Sequence, residues 1–198
     1  MSILSKIGSI FKKKPSSPAV AREPYSAIIP TLKIKETRIN EVKAICQKFH
    51  ANRERYHVVS QLTKVPEDVI FAIHMRECSA DFRGVLCNGE RIIGTGKKTK
   101  LVPSGRGPFA TWEESAIDEM EHKKHLYPKD GVWTMEAKLV FCEGFNGLGY
   151  KNRGLPSPYV LSWTNGYTKG KYVADGKFDP DFVDKQCGTA AIILELGL

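Results

Sequence analysis

One carboxylate in this sequence stands at the end of a segment that is otherwise apolar. The run Val69-Ile70-Phe71-Ala72-Ile73 is apolar on every side of a helix and leads directly into His74-Met75-Arg76-Glu77. An acid at the end of a buried helix loses part of its hydration, and desolvation raises its pKa. A carboxyl group that keeps its proton at neutral pH is what a glycosidase requires as a general acid. The structural alternative is a Glu77 that is paired with Arg76 or Arg83.

A second functional group would have to lie across a sugar-binding cleft from Glu77. Glu90 follows the turn signal Asn88-Gly89, and Thr95 comes a few residues later. An acid there could activate water or stabilise an oxocarbenium-like transition state, and a threonine hydroxyl could position the water. We therefore predict Glu90 and Thr95 as catalytic partners, while a solvated turn acid is the structural interpretation of Glu90. Rival carboxylates are Asp81, Glu113 and Glu114.

Aromatic side chains alternate with amides and hydroxyls between residues 145 and 172. Such a mixture suits sugar rings, which present apolar C–H faces and peripheral hydroxyl groups. The predicted glycan-binding residues are Asn146, Tyr150, Tyr159, Trp163, Asn165 and Tyr167. The same segment also carries lysine and arginine, so it would suit a single-stranded nucleic acid as well. A third interpretation is a long loop packed against its own domain.

Other kinds of chemistry have little support in the sequence. G-x-S-x-G is absent, and the segment 94–99 lacks the spacing of a phosphate-binding loop. Cys78 and His74 lie four residues apart on one helix face, but nothing else indicates a nucleophilic pair. The five cysteines form neither a C-x-x-C pair nor a zinc-type cluster with histidine, and His122 and His125 are typical of a solvated helix face. We expect buried free thiols, no metal and no cofactor.

The elements that must position these residues follow from hydrophobic periodicity and capping signals. One helix is predicted over Ile39–Phe49, a central one from Pro66 to Glu77, one from Thr111, one from Thr134 to Gly147, and a last one from Asp179-Pro180 that buries Phe182 and Val183. Asn88-Gly89 between two β-prone runs predicts a hairpin over 85–93. A long loop is expected over 148–177. The fold class is therefore α+β, mostly helical, with a small β-hairpin beside the central helix.

Charge and composition limit the classes of partner. The 198 residues include 30 Lys+Arg and 22 Asp+Glu, a formal charge of +8, which indicates a polyanionic partner such as nucleic acid, a membrane surface or a cell-wall polymer. An apolar content of 41% and the lack of a long apolar run exclude a disordered or membrane-spanning chain.

Residues 1–14 form a basic amphipathic segment that predicts weak membrane-surface contact or a solvated tail. Their charge follows the apolar residues, so a secretory signal is not predicted. We expect residues 1–31 to be tail and linker, and 32–198 to be one domain.

The order of these motifs resembles the lysozyme superfamily, especially goose-type lysozymes and soluble lytic transglycosylases. The segment Ile73–Cys78 resembles the helix end that carries the catalytic Glu in those enzymes, with Cys78 in place of the usual Ser. Phe145-Asn146-Gly147 resembles their aromatic-Asn-x-Gly motif, with the Gly directly after the Asn. The segment 88–96 is similar to the hairpin of phage lysozymes, with Glu90 in place of the Asp in a Glu, Asp, Thr trio. The stretch 145–179 is similar to lysozyme-like proteins of phages and bacterial genomes, and the resemblance covers roughly residues 32 to 196.

This resemblance implies a muramidase or lytic transglycosylase that cleaves the β-1,4 bond between N-acetylmuramic acid and N-acetylglucosamine in peptidoglycan. Glu77 would be its general acid, and bacterial peptidoglycan rather than nucleic acid would account for its basic charge. We expect a monomer made in a bacterial cytoplasm in a phage or prophage setting, which either acts on the periplasmic cell wall or is associated with the virion. Two alternatives stay open: a non-catalytic glycan-binding protein of the same fold, and a basic nucleic-acid-binding protein.

Overall fold

Helices make up about half of the chain that the computed structural model describes, which is residues 24–174 and 176–198. The α-helices in these ranges are α1 (Tyr25–Ile28), α2 (Ile39–Ala51), α3 (Arg53–Thr63), α4 (Glu67–Cys78), α5 (Trp112–His122), α6 (Met135–Asn146), α7 (Pro158–Leu161) and α8 (Thr189–Leu196). Short 3₁₀ helices cover Ile29–Thr31, Glu36–Arg38, Lys124–Leu126 and Lys151–Arg153. Strands β1 (Lys171–Ala174) and β2 (Lys177–Asp179) pair antiparallel, with Tyr172 opposite Phe178. The amphipathic segment predicted over 1–14 lies outside the described residues.

Helix α4 runs through the centre of the fold, as its all-apolar body predicts. Residues Val69–Ile73 are fully buried, and the helix packs against α3, α6 and α8. Pro66 precedes the first turn, where Glu67 and Asp68 are placed favourably for the helix dipole. The helix ends at Ser79, which adopts a left-handed conformation and donates its backbone N–H to the last turn. The central helix is thus confirmed, and it presents Glu77 at its carboxyl end.

Two further helices begin at the predicted caps. The Thr111 hydroxyl accepts a hydrogen bond from Glu114 N (3.3 Å) at the start of α5. Thr134 does the same for Ala137 N (3.2 Å) at the start of α6, and this helix ends at Gly147, where φ is +105°. The predicted helix over Ile39–Phe49 is also confirmed as α2. Helix α3 was not predicted, because its buried face is a narrow stripe of Tyr56, Val59 and Thr63 between charged residues.

The hairpin predicted over 85–93 is wrong, because this segment folds as a compact loop without strands. Val85 N donates to Glu90 O and Gly89 N donates back to Val85 O, both at 2.9 Å. Val85 and Ile92 pack together with Phe109 in a small apolar cluster rather than on opposite positions of two strands. The two-stranded sheet lies instead at β1–β2, inside the segment predicted as loop. The α+β class is confirmed, but the hairpin is not beside α4 at the predicted place.

The helix predicted from Asp179-Pro180 begins only at Thr189. Asp179 Oδ1 accepts hydrogen bonds from Asp181 N (2.9 Å) and Phe182 N (3.2 Å), so this residue closes a turn and does not cap a helix. Phe182 and Val183, predicted as buried, are 39% and 53% exposed. The helix that does form, α8, buries Ala190 to Ile193 against α4 and α2.

The folded unit already includes residues that the sequence assigns to the linker. Tyr25 is 2% exposed and belongs to the main core. Ile34 forms an isolated antiparallel bridge with Thr164, which joins the segment before α2 to the segment after α7. In the described ranges, no helix is both long enough and apolar enough to cross a bilayer.

Candidate functional site

A cleft of about 420 Å³ lies at the carboxyl end of α4. We call it the Glu77 cleft; it is lined by Glu77, Cys87, Pro103, Arg106, Glu119, His122, Lys123, His125, Phe145 and Asn146. Glu77 comes from the end of α4, Asn146 from the end of α6, and Glu119 from α5. Three helices of the core therefore supply these three polar groups, and the rigidity of the core fixes their positions.

Glu77 is a largely buried acid whose proton is held more tightly than usual. Burial raises its pKa above the usual value of 4.5, and the negative charge of Glu119 acts in the same direction. The hydroxyl of Tyr159 donates to Glu77 Oε1 (2.8 Å) and acts in the opposite direction, as does the charge of Arg76. Arg76 and Arg83, the predicted structural partners of Glu77, form ion pairs with Asp184 and Asp81 instead. The geometry therefore gives Glu77 the environment of a proton donor and not that of a surface ion pair.

The loop after α4 holds this acid in place through a glycine. Gly89 has φ of +75°, and a Cβ atom added there would lie 2.6 Å from the carbonyl oxygen of Glu77. The loop can approach the end of α4 this closely only because residue 89 has no side chain. Asn88-Gly89 was predicted to be a hairpin turn, but its glycine instead packs the loop against the residue that carries the candidate acid.

We expect Gly89→Ala to destabilise the protein more than a matched glycine replacement. Gly131→Ala is the control, since Gly131 also has a positive φ (+72°) but an added Cβ would meet no atom within 4 Å. The left-handed conformation alone should cost roughly 1–2 kcal/mol at each position. Gly89→Ala carries the clash with Glu77 in addition, so its free energy of unfolding, measured by urea denaturation, should be the lower of the two. Equal losses would show that residue 89 does not support the end of α4.

Glu119 is a site residue that the sequence reasoning missed. It is 3% exposed, lines the same cleft as Glu77, and burial raises its pKa. Arg106 Nη1 lies 3.2 Å from its Oε2 and Lys123 Nζ lies 3.7 Å from its Oε1. The Arg106 contact is an ion pair without hydrogen-bond alignment, so Oε2 has no hydrogen-bond partner among the described residues. A signal was available, because Glu119 follows the buried Trp112 by seven residues and Ala116 by three, on the same helix face.

A second cavity of about 340 Å³ adjoins the Glu77 cleft. We call it the Lys171 cavity; its lining residues are Arg76, Asn146, Gly147, Gly149, Tyr150, Pro158, Tyr159, Lys171 and Tyr172. Asn146 lines both spaces, and the Tyr159 hydroxyl reaches from the Lys171 cavity to Glu77. The structure thus brings three predicted binding residues, Asn146, Tyr150 and Tyr159, to one cavity, and two of them also contact the candidate acid or its cleft.

The other three predicted binding residues lie elsewhere. Trp163 borders a separate small cavity, with the guanidinium of Arg38 4.8 Å from its ring centre. The Asn165 side chain accepts a hydrogen bond from Lys33 N and donates one to Thr31 O, both at 2.9 Å. Its amide therefore binds the backbone of residues 31–33. Tyr167 is buried, and its hydroxyl bonds to the backbone around Phe182. These side chains bind other parts of the protein.

Glu90 and Thr95 do not line the Glu77 cleft. The carboxylate of Glu90 accepts hydrogen bonds from Lys100 N and Leu101 N (2.7 Å for the latter), and these bonds lower its pKa. Thr95 donates to Ile92 O (2.7 Å) and lies on an exposed turn. Both residues therefore organise the loop between α4 and α5 in this structure.

The rival carboxylates are likewise engaged outside the cleft. Asp81 pairs with Arg83 and Arg91, and hydrogen bonds from Arg83 lower its pKa well below the usual range. The remaining two rivals are tied to neighbouring elements: Glu113 pairs with Arg55 at 2.5 Å, and Glu114 accepts from Ala110 N at 2.8 Å. None of these three side chains lines the Glu77 cleft.

The pair of Cys78 and His74 lacks the chemistry of a nucleophile and base. Burial raises the pKa of the Cys78 thiol to about 12, so it stays protonated at neutral pH. Burial lowers the pKa of His74 to about 4, and its ring nitrogens contact Tyr56 Oη (3.0 Å) and Asp81 O (3.3 Å). All five cysteines are free thiols. In the part of the chain that the structure describes, no group of three or more His, Cys, Asp or Glu side chains could hold a metal ion.

Comparison with protein-family models, with curated proteins and with solved structures gives no match to this chain.

Proposed function

We propose that this protein is a peptidoglycan hydrolase that cleaves the β-1,4 bond between N-acetylmuramic acid and N-acetylglucosamine, either as a muramidase or as a lytic transglycosylase. The observation that carries the proposal is the placement of Glu77, a partly buried acid with a raised pKa that lines a cleft and accepts a hydrogen bond from Tyr159 of the Lys171 cavity. The tyrosines of the Lys171 cavity and the amide of Asn146 offer the contacts that a glycan needs. The resemblance of the motif order to lysozymes agrees with this assignment.

In the proposed reaction, Glu77 protonates the glycosidic oxygen. Tyr159 donates to Oε1, which leaves Oε2 to carry the proton. Because burial raises the pKa of this carboxyl, it holds its proton to a higher pH than an exposed glutamate does and can give the proton up as the bond to the leaving sugar breaks. The attacking group is water in a hydrolase and the hydroxyl of the muramic acid in a transglycosylase.

The developing positive charge on the sugar ring needs a nearby negative charge. Glu119 lines the same cleft as Glu77, whereas the carboxylate of Glu90 accepts hydrogen bonds from the backbone N–H groups of residues 100 and 101. We therefore assign the electrostatic role to Glu119 in place of Glu90 and Thr95. The charges of Lys123 and Arg106 oppose the effect of burial on the pKa of Glu119 and so favour its ionised form.

The test is the release of soluble fragments from purified peptidoglycan by the full-length protein. We expect turbidity to fall and mass spectrometry to detect muropeptides, with reducing ends from a hydrolase or anhydro-sugars from a transglycosylase. Binding to the wall without any released fragment would overturn the proposal and indicate the non-catalytic glycan binder.

Nucleic acid is the less favoured partner, because the Arg106 and Lys123 cations of the main cleft pair with Glu119 and are not free to bind a phosphate backbone. Four of the lysines behind the net charge of +8 belong to residues 1–14, outside the described chain. We propose that the basic charge serves the anionic cell wall. A gel-shift titration should show only weak DNA binding, and tight binding that survives physiological salt would contradict this assignment.

The pH profile of cleavage should move in opposite directions in two variants. Activity requires protonated Glu77, so it falls as pH rises through the pKa of this residue. Glu119→Gln removes a charge that raises this pKa, and the alkaline limb should move to lower pH. Tyr159→Phe removes a hydrogen bond that lowers it, and the limb should move to higher pH. Rates of wall clearing across pH measure both shifts. If the alkaline limbs of the two variants moved in the same direction, the roles assigned to Glu119 and Tyr159 in setting the pKa of Glu77 would be wrong.

A further inference from the structure

Two cations share one buried acid at the wall of the Lys171 cavity. Arg76 Nη1 lies 2.9 Å from Asp184 Oδ2, and Lys171 Nζ lies 2.6 Å from Asp184 Oδ1. The side chain of Asp184 is 1% exposed, so it stands behind the cavity and does not line it. One positive charge remains after this pairing.

Arg76 has an unused donor in addition. Its side chain is 6% exposed, and its Nε finds no hydrogen-bond partner among the described residues. The guanidinium carbon lies 4.8 Å from the centre of the Tyr159 ring, a cation–π contact that stabilises the charge beside the cavity. This contact gives Nε no hydrogen-bond acceptor. A buried donor without a partner costs stability, and a bound water or ion is one group that can supply the missing acceptor.

The remaining lining of the Lys171 cavity is neutral. It consists of tyrosines, the amide of Asn146, glycines and a proline, with no carboxylate among the lining residues. A space of about 340 Å³ is within the size range of small-ligand sites. The surplus positive charge of Arg76 and Lys171 over Asp184 favours an anionic group that is attached to a largely neutral, hydroxyl-rich ligand.

We infer that the Lys171 cavity is a carboxylate subsite that recognises the lactyl side of the muramic acid residue. This inference rests on the proposed function and identifies which sugar the groove distinguishes. Asn146 lines both cavities and Tyr159 of the Lys171 cavity bonds to Glu77, so we place the sugar next to the scissile bond in this space. Of the two sugars in peptidoglycan, only muramic acid bears a substituent with a carboxylate. That carboxylate comes from the lactyl group itself or from the peptide attached to it.

The experiment measures binding by ligand-observed NMR to the full-length protein, so it does not depend on turnover. The probes are N-acetylglucosamine, N-acetylmuramic acid with a free lactyl carboxylate, and a muramyl dipeptide in which only the peptide carboxylate is free. We expect at least one muramyl probe to bind more tightly than N-acetylglucosamine, and the tighter one identifies the source of the carboxylate. In Lys171→Gln this preference should fall by about tenfold, since a charge-assisted hydrogen bond is lost.

Lys169→Gln is the matched control, because Lys169 is a nearby lysine that pairs with exposed Asp181 and does not line the cavity. It should keep the full preference. Equal binding of all three sugars, no binding of any, or a preference that Lys171→Gln leaves unchanged would each overturn the subsite. Muramyl binding that depends on Lys171 in a protein that releases no wall fragments would disprove the hydrolase and leave the carboxylate subsite standing.

Discussion

Glu77→Gln should abolish peptidoglycan cleavage and, at neutral pH, make the protein more stable. A general acid contributes roughly 10²–10⁴ to the rate, and glutamine has no proton to give, so the clearing rate should fall by that factor. The amide oxygen can still accept the hydrogen bond that Tyr159 donates to Oε1, so the site should keep its shape. Turbidity assays with equal amounts of folded protein measure the loss. Unchanged clearing would show that another group donates the proton.

The gain in stability follows from the direction of the pKa shift. Because the pKa of Glu77 in the folded protein lies above its usual 4.5, the unfolded state ionises first as pH rises. The wild-type protein therefore loses stability above pH 4.5 until the folded pKa has been passed. Glu77→Gln does not ionise, so its melting temperature should exceed that of the wild type at neutral pH, and this excess should vanish below 4.5.

Glu90→Gln supplies the control of opposite sign. Hydrogen bonds from Lys100 N and Leu101 N lower the pKa of Glu90, so its ionised form stabilises the folded state above the usual pKa. Its replacement should lower the melting temperature at neutral pH. A loss of stability in Glu77→Gln as well would mean that Glu77 serves structure rather than proton transfer.

The parts of the fold that the sequence predicts well are those decided locally. Helix α4 follows from an apolar body with acids in its first turn, and α5 and α6 follow from threonine caps whose hydrogen bonds close within one turn. The loop 85–93 was mispredicted because a tertiary contact decides its shape. Gly89 is required there for the approach to the Glu77 carbonyl, which no local pattern reveals.

The candidate site was predictable to the extent that its residues sit at the ends of predictable helices. Glu77 and Asn146 are the examples, since each lies at the carboxyl end of a helix with clear start and stop signals. Glu119 was missed because an acid on a helix is ordinarily assigned to solvent, although the spacing from Trp112 places it on the buried face. The Arg76–Asp184 pair joins residues 108 positions apart, and only the folded chain brings them together.

The other end of α4 depends on a buried ion pair, and its disruption should have the largest effect on stability. Asp68 in the first turn of α4 is fully buried, and Lys138 of α6, 8% exposed, lies 2.6 Å from its Oδ2. Lys138 Nζ also donates to Leu198 O at the end of the chain. Lys138→Met leaves the Asp68 charge buried without its partner, so the free energy of unfolding should fall by about 3–5 kcal/mol.

Two further variants separate the ion pair from simple packing. Lys124→Met removes a surface pair with Glu121 at 3.0 Å and should cost less than about 1 kcal/mol in urea denaturation. Asp68→Asn combined with Lys138→Met removes both charges and should recover part of the loss, since the uncompensated carboxylate is gone. A double variant no more stable than Lys138→Met would assign the loss to packing alone. Because α4 and α6 carry Glu77 and Asn146 at their opposite ends, this pair fixes two of the three helices that contribute to the cleft.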